Sequence, residues 1–206
     1  MASWALALAL LPWAALSAPA CGPSSPPVWP ARFRLLQRKV PKADPQCRNG
    51  TCAVTTTFYD WDKQANLILI QNDKEPGKFI WDLELGNRCS YYFKPEDKTC
   101  KFIHMEAGIL RRDWLKGANF TGETTINGRR VLGYTKADFI DYYADASDCT
   151  PVRWFFHSMQ AAFDTLTYLE GEAVPDEGFF APPEYCPNRT AIGAADARAS
   201  SDALVI

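Results

Sequence analysis

The sequence AVTTTFYDWDKQANLILIQ, from Ala53 to Gln71, contains two β-branched and apolar runs separated by a polar turn. Runs of this length, bounded by Asn, Asp, Gly or Pro, are typical of strands joined by tight turns. The same pattern recurs on both sides of this stretch. It predicts a meander of antiparallel strands at Phe33–Val40, Ala53–Tyr59, Asn66–Gln71, Phe79–Leu83, Ser90–Phe93 and Lys101–Met105, and further strands at Glu123–Ile126, Arg130–Thr135, Pro151–Met159 and Ala162–Leu169.

Two segments depart from the strand pattern. Between Gly108 and Ala118 the apolar residues recur at helical spacing, and Gly117 stands where a helix C-cap would, so we expect a short helix or a compact loop there. Between Ala137 and Ala146, aromatic residues alternate with three Asp residues, a pattern that fits either one helical turn or a bulged strand.

The ends of the chain indicate an exported protein of one domain. An apolar run of about a dozen residues precedes Ala18-Pro19-Ala20, which is typical of a secretory signal peptide; a membrane anchor is the alternative. We expect a signal peptide over residues 1–20, one antiparallel β domain with an apolar cavity over 21–187, and a disordered tail over 188–206.

The charge balance excludes several classes of partner. The chain has 22 basic and 24 acidic residues without a basic block, so nucleic acid is not expected to bind.

No apolar stretch after the leader is long enough to predict a transmembrane segment. We expect the protein in the secretory pathway, either outside the cell or in a vacuolar or lysosomal lumen.

Cysteines and sequons support an oxidising compartment. Seven cysteines allow three disulfides and one leftover thiol, or a bond to a second molecule, so a homodimer is one outcome. Cys47 and Cys52 flank an Asn-Gly turn signal, where they could form one bridge. Three sequons predict glycosylation at Asn49, Asn119 and Asn188. With two His and no C-x-x-C pair, no metal site is expected.

Three motifs resemble a plant and algal family of uncharacterised secreted proteins. These are AGILRRDWLKGAN at Ala107–Asn119, KADFIDYY at Lys136–Tyr143 and FAPPEYC at Phe180–Cys186. The resemblance extends from about Trp29 to Cys186, which is nearly the whole expected domain.

The chain also resembles, more distantly, the ependymin-related proteins. The shared features are Cys21 before a Pro-rich segment, the DCTPV motif at Asp148–Val152, and the FAPPEYC motif. This resemblance implies a fold like that of bacterial lipoprotein carriers, which is mainly β and consists of a curved antiparallel β-sandwich around an apolar cavity. We also expect one or two short helices in this fold. It also implies bridges Cys21–Cys149 and Cys100–Cys186, and it assigns no partner to Cys89.

Catalytic signals are weak, and we expect neither an enzyme nor a cofactor. No G-x-S-x-G motif occurs, and His157 on an aromatic strand is typical of a core residue. Glycoside hydrolysis needs two carboxylates in a cleft, for which Asp60/Asp62, Asp82/Glu84 and Asp138/Asp141 are the candidates.

The aromatic content permits a binding cavity, although the same rings could simply fill a core, and the resemblance to the ependymin-related proteins favours the cavity. With 12 Phe, 8 Tyr and 7 Trp, the chain is rich in rings that can line a wide concave site. We therefore predict a non-enzymatic carrier of an apolar ligand, a lipid or fatty acyl chain. The alternatives are a disulfide-bonded interaction module without a ligand, and a carbohydrate-active enzyme. The candidate lining residues are Trp61, Trp81, Tyr92, Phe102, Trp114, Trp154 and Phe156.

Overall fold

The computed structural model describes residues 21–41, 53–71, 77–105, 107–171 and 178–187. Eleven strands form within these ranges, and none of the residues in them is helical. The strands are β1 (Arg32–Pro41), β2 (Val54–Asp60), β3 (Ala65–Gln71), β4 (Phe79–Leu85), β5 (Cys89–Lys94), β6 (Thr99–His104), β7 (Asn119–Ile126), β8 (Arg129–Lys136), β9 (Ile140–Asp145), β10 (Pro151–Phe156) and β11 (Ala161–Glu170).

All eleven strands belong to one open antiparallel sheet. Strands β1 to β6 form one meander and β7 to β11 form a second, and β11 returns to pair with β1. The sheet order is therefore β6-β5-β4-β3-β2-β1-β11-β10-β9-β8-β7. The predicted mainly β, antiparallel class is confirmed, and the segment left undecided between Ala137 and Ala146 contains strand β9.

The connection between β6 and β7 has to cross the sheet, because these strands lie at its two opposite edges. The crossing segment, from Gly108 to Ala118, is the compact loop that was one of the two sequence expectations. The one or two short helices that we expected are not found among the described residues.

Successive four-residue turns account for the helical spacing in this loop. The backbone N–H groups of Trp114, Lys116 and Ala118 each donate to the carbonyl three residues earlier, and such turns place every third side chain on one side. Gly117 ends the series at φ +76°. Gly108 begins it against the backbone of Gly86, where a Cβ atom would lie 2.7 Å from the Gly86 carbonyl oxygen.

The loop packs on one face of the sheet, which we call the loop face. Register pairing places Phe33, Tyr59, Asn66, Glu84 and Ser90 in one row across this face. Its core cluster consists of aromatic and aliphatic side chains from the strands and the loop: Trp29, Phe33, Leu35, Tyr59, Ile109, Trp114, Leu115, Leu132, Tyr134, Ile140, Tyr142 and Ala144.

The opposite face, which we call the tail face, is covered by the segment 178–187. Leu67, Leu83 and Tyr91 form a row across it, and Phe179 and Phe180 pack against their cluster. The bridge Cys100–Cys186 fixes this segment to β6. The sheet therefore has a separate apolar core on each face.

The two disulfides that the family resemblance implied are both present, Cys21–Cys149 and Cys100–Cys186. Cys89 is an unpaired thiol, 2% exposed. Cys47 and Cys52 lie outside the described residues, as do the expected signal peptide, the tail from 188 to 206, and the sequons at Asn49 and Asn188. Asn119 is exposed at the first position of β7.

Where the structure describes the chain, no helix is long and apolar enough to cross a membrane.

Candidate functional site

A groove of about 340 Å³ opens at the edge of the sheet formed by β4, β5 and β6. Six side chains of its lining share the loop face, because they alternate along their strands and pair in register. The lining consists of Ile80, Tyr92, Lys94, Thr99, Lys101 and Ile103, with Phe93 and Cys100 between them. Its volume falls within the range of ~300–1,000 Å³ that is common for small-molecule sites.

Apolar side chains in the groove remain partly exposed. Ile80, Tyr92 and Ile103 are half-buried, although they belong to strands whose opposite sides are buried in the tail-face core. Exposed apolar area costs about 25 cal/mol per Å². The groove therefore presents a surface that would gain free energy by covering an apolar molecule.

Two carboxyl groups lie beside the groove on the same face of β4. Asp82 is 4% exposed and Glu84 is partly buried, and both point to the loop face because they are two residues apart on one strand. Ser90 donates from Oγ to Asp82 Oδ1 at 3.0 Å, and Asn66 donates from Nδ2 to Glu84 Oε2 at 2.8 Å. Tyr92 also hydrogen-bonds Asp82, which connects the carboxyl pair to the groove lining.

Burial makes this pair retain protons. Desolvation, followed by the neighbouring charge of Glu84, raises the pKa of Asp82 to about 7. Desolvation likewise raises the pKa of Glu84 above its ordinary value. Burial, with the nearby Asp82 charge, raises the pKa of the Tyr92 phenol, so that this hydroxyl stays protonated as a donor. The pair can hold and release a proton near neutral pH.

The structure distributes the seven predicted lining residues over three places. Tyr92 lines the groove. Trp81 and Phe102 lie on the tail face, packed against its core. Trp61, Trp114, Trp154 and Phe156 pack in or against the loop-face core.

The loop-face aromatic residues stack on one another at the centre of the sheet. Trp154 stacks on Trp29 with ring centroids 5.5 Å apart, and Trp114 meets Trp29 edge-on at 5.4 Å. Trp29 also donates from Nε1 to the Tyr142 hydroxyl at 3.3 Å. Such pairs stabilise a packed interior beyond their area burial.

Several groove residues were missed from the sequence: Ile80, Lys94, Thr99, Lys101 and Ile103. The available signal was alternation within the β5–β6 hairpin, where Tyr92 and Lys94, and then Lys101 and Ile103, are two residues apart. Asp82 and Glu84 were considered, but only as a possible catalytic pair.

Among the described residues, no group of three or more His, Cys, Asp or Glu side chains could hold a metal ion.

Comparison with known proteins identifies a family but no activity. No curated protein matches the chain. A crystal structure of an uncharacterized conserved protein from Thermus thermophilus is similar at 8% identity and a TM-score of 0.46, covering 70% of this chain and 81% of that one. The family model described as a domain of unknown function, DUF8395, matches residues 28–186. The chain thus belongs to the DUF8395 family.

Proposed function

We propose that this protein is a secreted, disulfide-bonded carrier that binds an apolar small molecule, a lipid or a fatty acyl chain, in the loop-face groove. The observation that carries the proposal is the half-exposed apolar lining of Ile80, Tyr92 and Ile103 in a 340 Å³ groove. Each CH₂ group transferred from water to such a surface is worth about 0.8 kcal/mol. One acyl chain can therefore reach micromolar affinity.

The family resemblance supports the carrier hypothesis, including a sheet that curves around its ligand as in a half-open sandwich. Two bridges that the resemblance implies, Cys21–Cys149 and Cys100–Cys186, have formed. Disulfides persist in oxidising compartments, in agreement with an extracellular or vacuolar location.

A direct test compares lipid binding by the native protein and two variants. Ile103→Glu places a charge in the groove, whereas Leu166→Glu places the same charge at a residue that is 44% exposed and outside the lining. We expect thermal shift with a lipid panel to show stabilisation of the native protein and of Leu166→Glu, with a loss for Ile103→Glu. Equal shifts for the two variants would count against this groove as the binding site.

A second candidate function, carbohydrate-active catalysis, is favoured by one observation, the proton-retaining pair Asp82 and Glu84. Glycosidases use one carboxyl group with a raised pKa as the general acid. Glycan hydrolysis by the native protein that is lost in Asp82→Asn or Glu84→Gln would establish it. An unchanged low rate in all three proteins would exclude the pair from catalysis.

The interaction-module alternative loses one of its supports. It relied on an unpaired cysteine that links to a partner, but the unpaired thiol of Cys89 is buried. In this fold Cys89 is not placed to bond a second molecule.

A further inference from the structure

Two lysines lie together at the rim of the groove. Lys94 pairs with Thr99, and Lys101 pairs with Tyr92, in the antiparallel register of β5 and β6. Since Thr99 and Lys101 are two residues apart, the two lysines are diagonal neighbours on the loop face, with backbone positions roughly 7–8 Å apart. Both side chains are exposed, and no described residue forms an ion pair with either of them.

This arrangement places two ammonium groups, neither in an ion pair with a described residue, at a mainly apolar site. The groove lining contains two ammonium groups and no carboxylate. Like charges at neighbouring positions of a sheet repel each other. An anion between Lys94 and Lys101 would relieve this repulsion, and the Thr99 hydroxyl beside them can donate a further hydrogen bond.

The opposite side of the groove is unfavourable for an anion. The row across the sheet runs Ile68, Asp82, Tyr92, Lys101, so that Tyr92 lies between Asp82 and Lys101, whereas Lys94 is a diagonal neighbour of Asp82 across β4 and β5. A negatively charged head group next to Asp82 and Glu84 would meet two acidic groups in a poorly solvated position. An anionic head is therefore directed to the lysine rim, and the chain to the isoleucines.

We infer that the groove selects an anionic amphiphile with a single alkyl chain, whose carboxylate or phosphate monoester lies between Lys94 and Lys101 and whose chain covers Ile80 and Ile103. This inference rests on the proposed carrier function and adds the class of ligand. A neutral ester, an alcohol or a sterol would lose the contribution of the lysines.

The test uses probes of one chain length with different head groups. Palmitate, hexadecyl phosphate, methyl palmitate and hexadecanol are titrated against the full protein at low salt. The two anions separate carboxylate from phosphate recognition, and the two neutral probes report the chain alone. We expect the better anion to bind about tenfold more tightly than the neutral probes, since exposed charge pairs contribute modestly.

A double variant and a control variant assign the preference to the lysines. Lys94→Gln with Lys101→Gln should remove the roughly tenfold preference for the anion over the neutral probes. Lys98→Asn removes one positive charge from the turn of this hairpin, outside the groove lining, and Asn tolerates the positive φ of 47° there. This control should keep the preference.

A salt titration of the native protein needs no variant. The anion preference should weaken as salt rises from low to about 0.5 M, because screening acts on the head group and not on the chain. Binding of palmitate and hexadecyl phosphate that is no tighter than that of the neutral probes, or a preference that survives in the double variant, would overturn the inference while leaving the carrier function intact. Binding of none of the four probes would overturn both.

Discussion

Ser90 donates a hydrogen bond to Asp82 between strands β5 and β4, with 3.0 Å between Ser90 Oγ and Asp82 Oδ1. Both residues are almost fully buried, at 0% and 4% exposure. A buried carboxyl group whose hydrogen-bond partners are the neutral hydroxyls of Ser90 and Tyr92 costs stability when it ionises, because neither partner carries the opposite charge. The position is stabilising for the fold only while a proton is held there.

This predicts a pH dependence of stability. The pKa of Asp82 is raised from 3.8 to about 7 in the folded protein, so the folded state binds a proton at Asp82 more tightly than the unfolded state does. The contribution of Asp82 to the free energy of unfolding is fully present below about pH 3.8 and is lost as the pH rises through about 7. Asp145 and Asp164, whose pKa values are lowered from 3.8, act with the opposite sign but at lower pH.

Asp82→Asn should therefore stabilise the protein at alkaline pH. We expect a gain on the order of 2 kcal/mol at about pH 8.5 and roughly a third of that gain at about pH 5, measured by urea unfolding. Glu123→Gln, at an exposed carboxylate on β7, is the control and should shift neither value. A variant that is equally destabilised at both pH values would contradict the raised pKa.

The strands could be predicted from the sequence, whereas the site could not. The alternation of apolar and polar residues in β2 and β3 identifies them as strands. The Asn127-Gly128 turn joins β7 to β8 with both residues at positive φ, as an Asn-Gly hairpin requires. The sequence could not distinguish a helix from a loop between Gly108 and Ala118, because successive four-residue turns imitate helical spacing. The loop crosses one face of the sheet, and only this long-range contact determines which side of β4 faces the groove. As a result Asp82 lies on the loop face and Trp81 on the tail face.

The bridge Cys100–Cys186 should have a local effect that Cys21–Cys149 lacks. Each bridge closes a long loop, with sequence separations of 86 and 128, and replacing either pair by Ser should cost about 2–4 kcal/mol. Loss of Cys100–Cys186 should also release segment 178–187 from the tail face.

Limited proteolysis distinguishes the two bridges. We expect faster cleavage within 178–187 in the Cys100→Ser, Cys186→Ser variant than in the Cys21→Ser, Cys149→Ser variant. The comparison is made at equal free energy of unfolding, which is set by adding urea to the more stable variant. Identical cleavage patterns would show that packing of Phe179 and Phe180 holds the segment without the bridge.

Lys136 should hold the crossing loop in place. Its Nζ donates to the carbonyl oxygens of Trp114 and Lys116, each at 2.5 Å. Lys136→Met keeps the apolar stem and removes both bonds, so we expect a loss of about 1–2 kcal/mol.

Hydrogen exchange locates this effect. The amides of Lys116 and Ala118, which donate within the loop, should exchange faster in Lys136→Met, while those of β3 and β4 stay unchanged. Lys116→Met, which removes an exposed charge from the same loop, is the matched control. Unchanged loop exchange in Lys136→Met would mean that apolar packing alone fixes the crossing.

Native mass spectrometry of protein secreted by a eukaryotic host and purified without detergent tests the carrier function most directly. We predict a lipid adduct on the native protein, released by organic extraction and strongly reduced in Ile80→Glu and Ile103→Glu. Leu166→Glu should retain it. An adduct-free mass for the native protein, with no gain in melting temperature from any lipid of the panel, would contradict the proposal that the loop-face groove carries an apolar ligand.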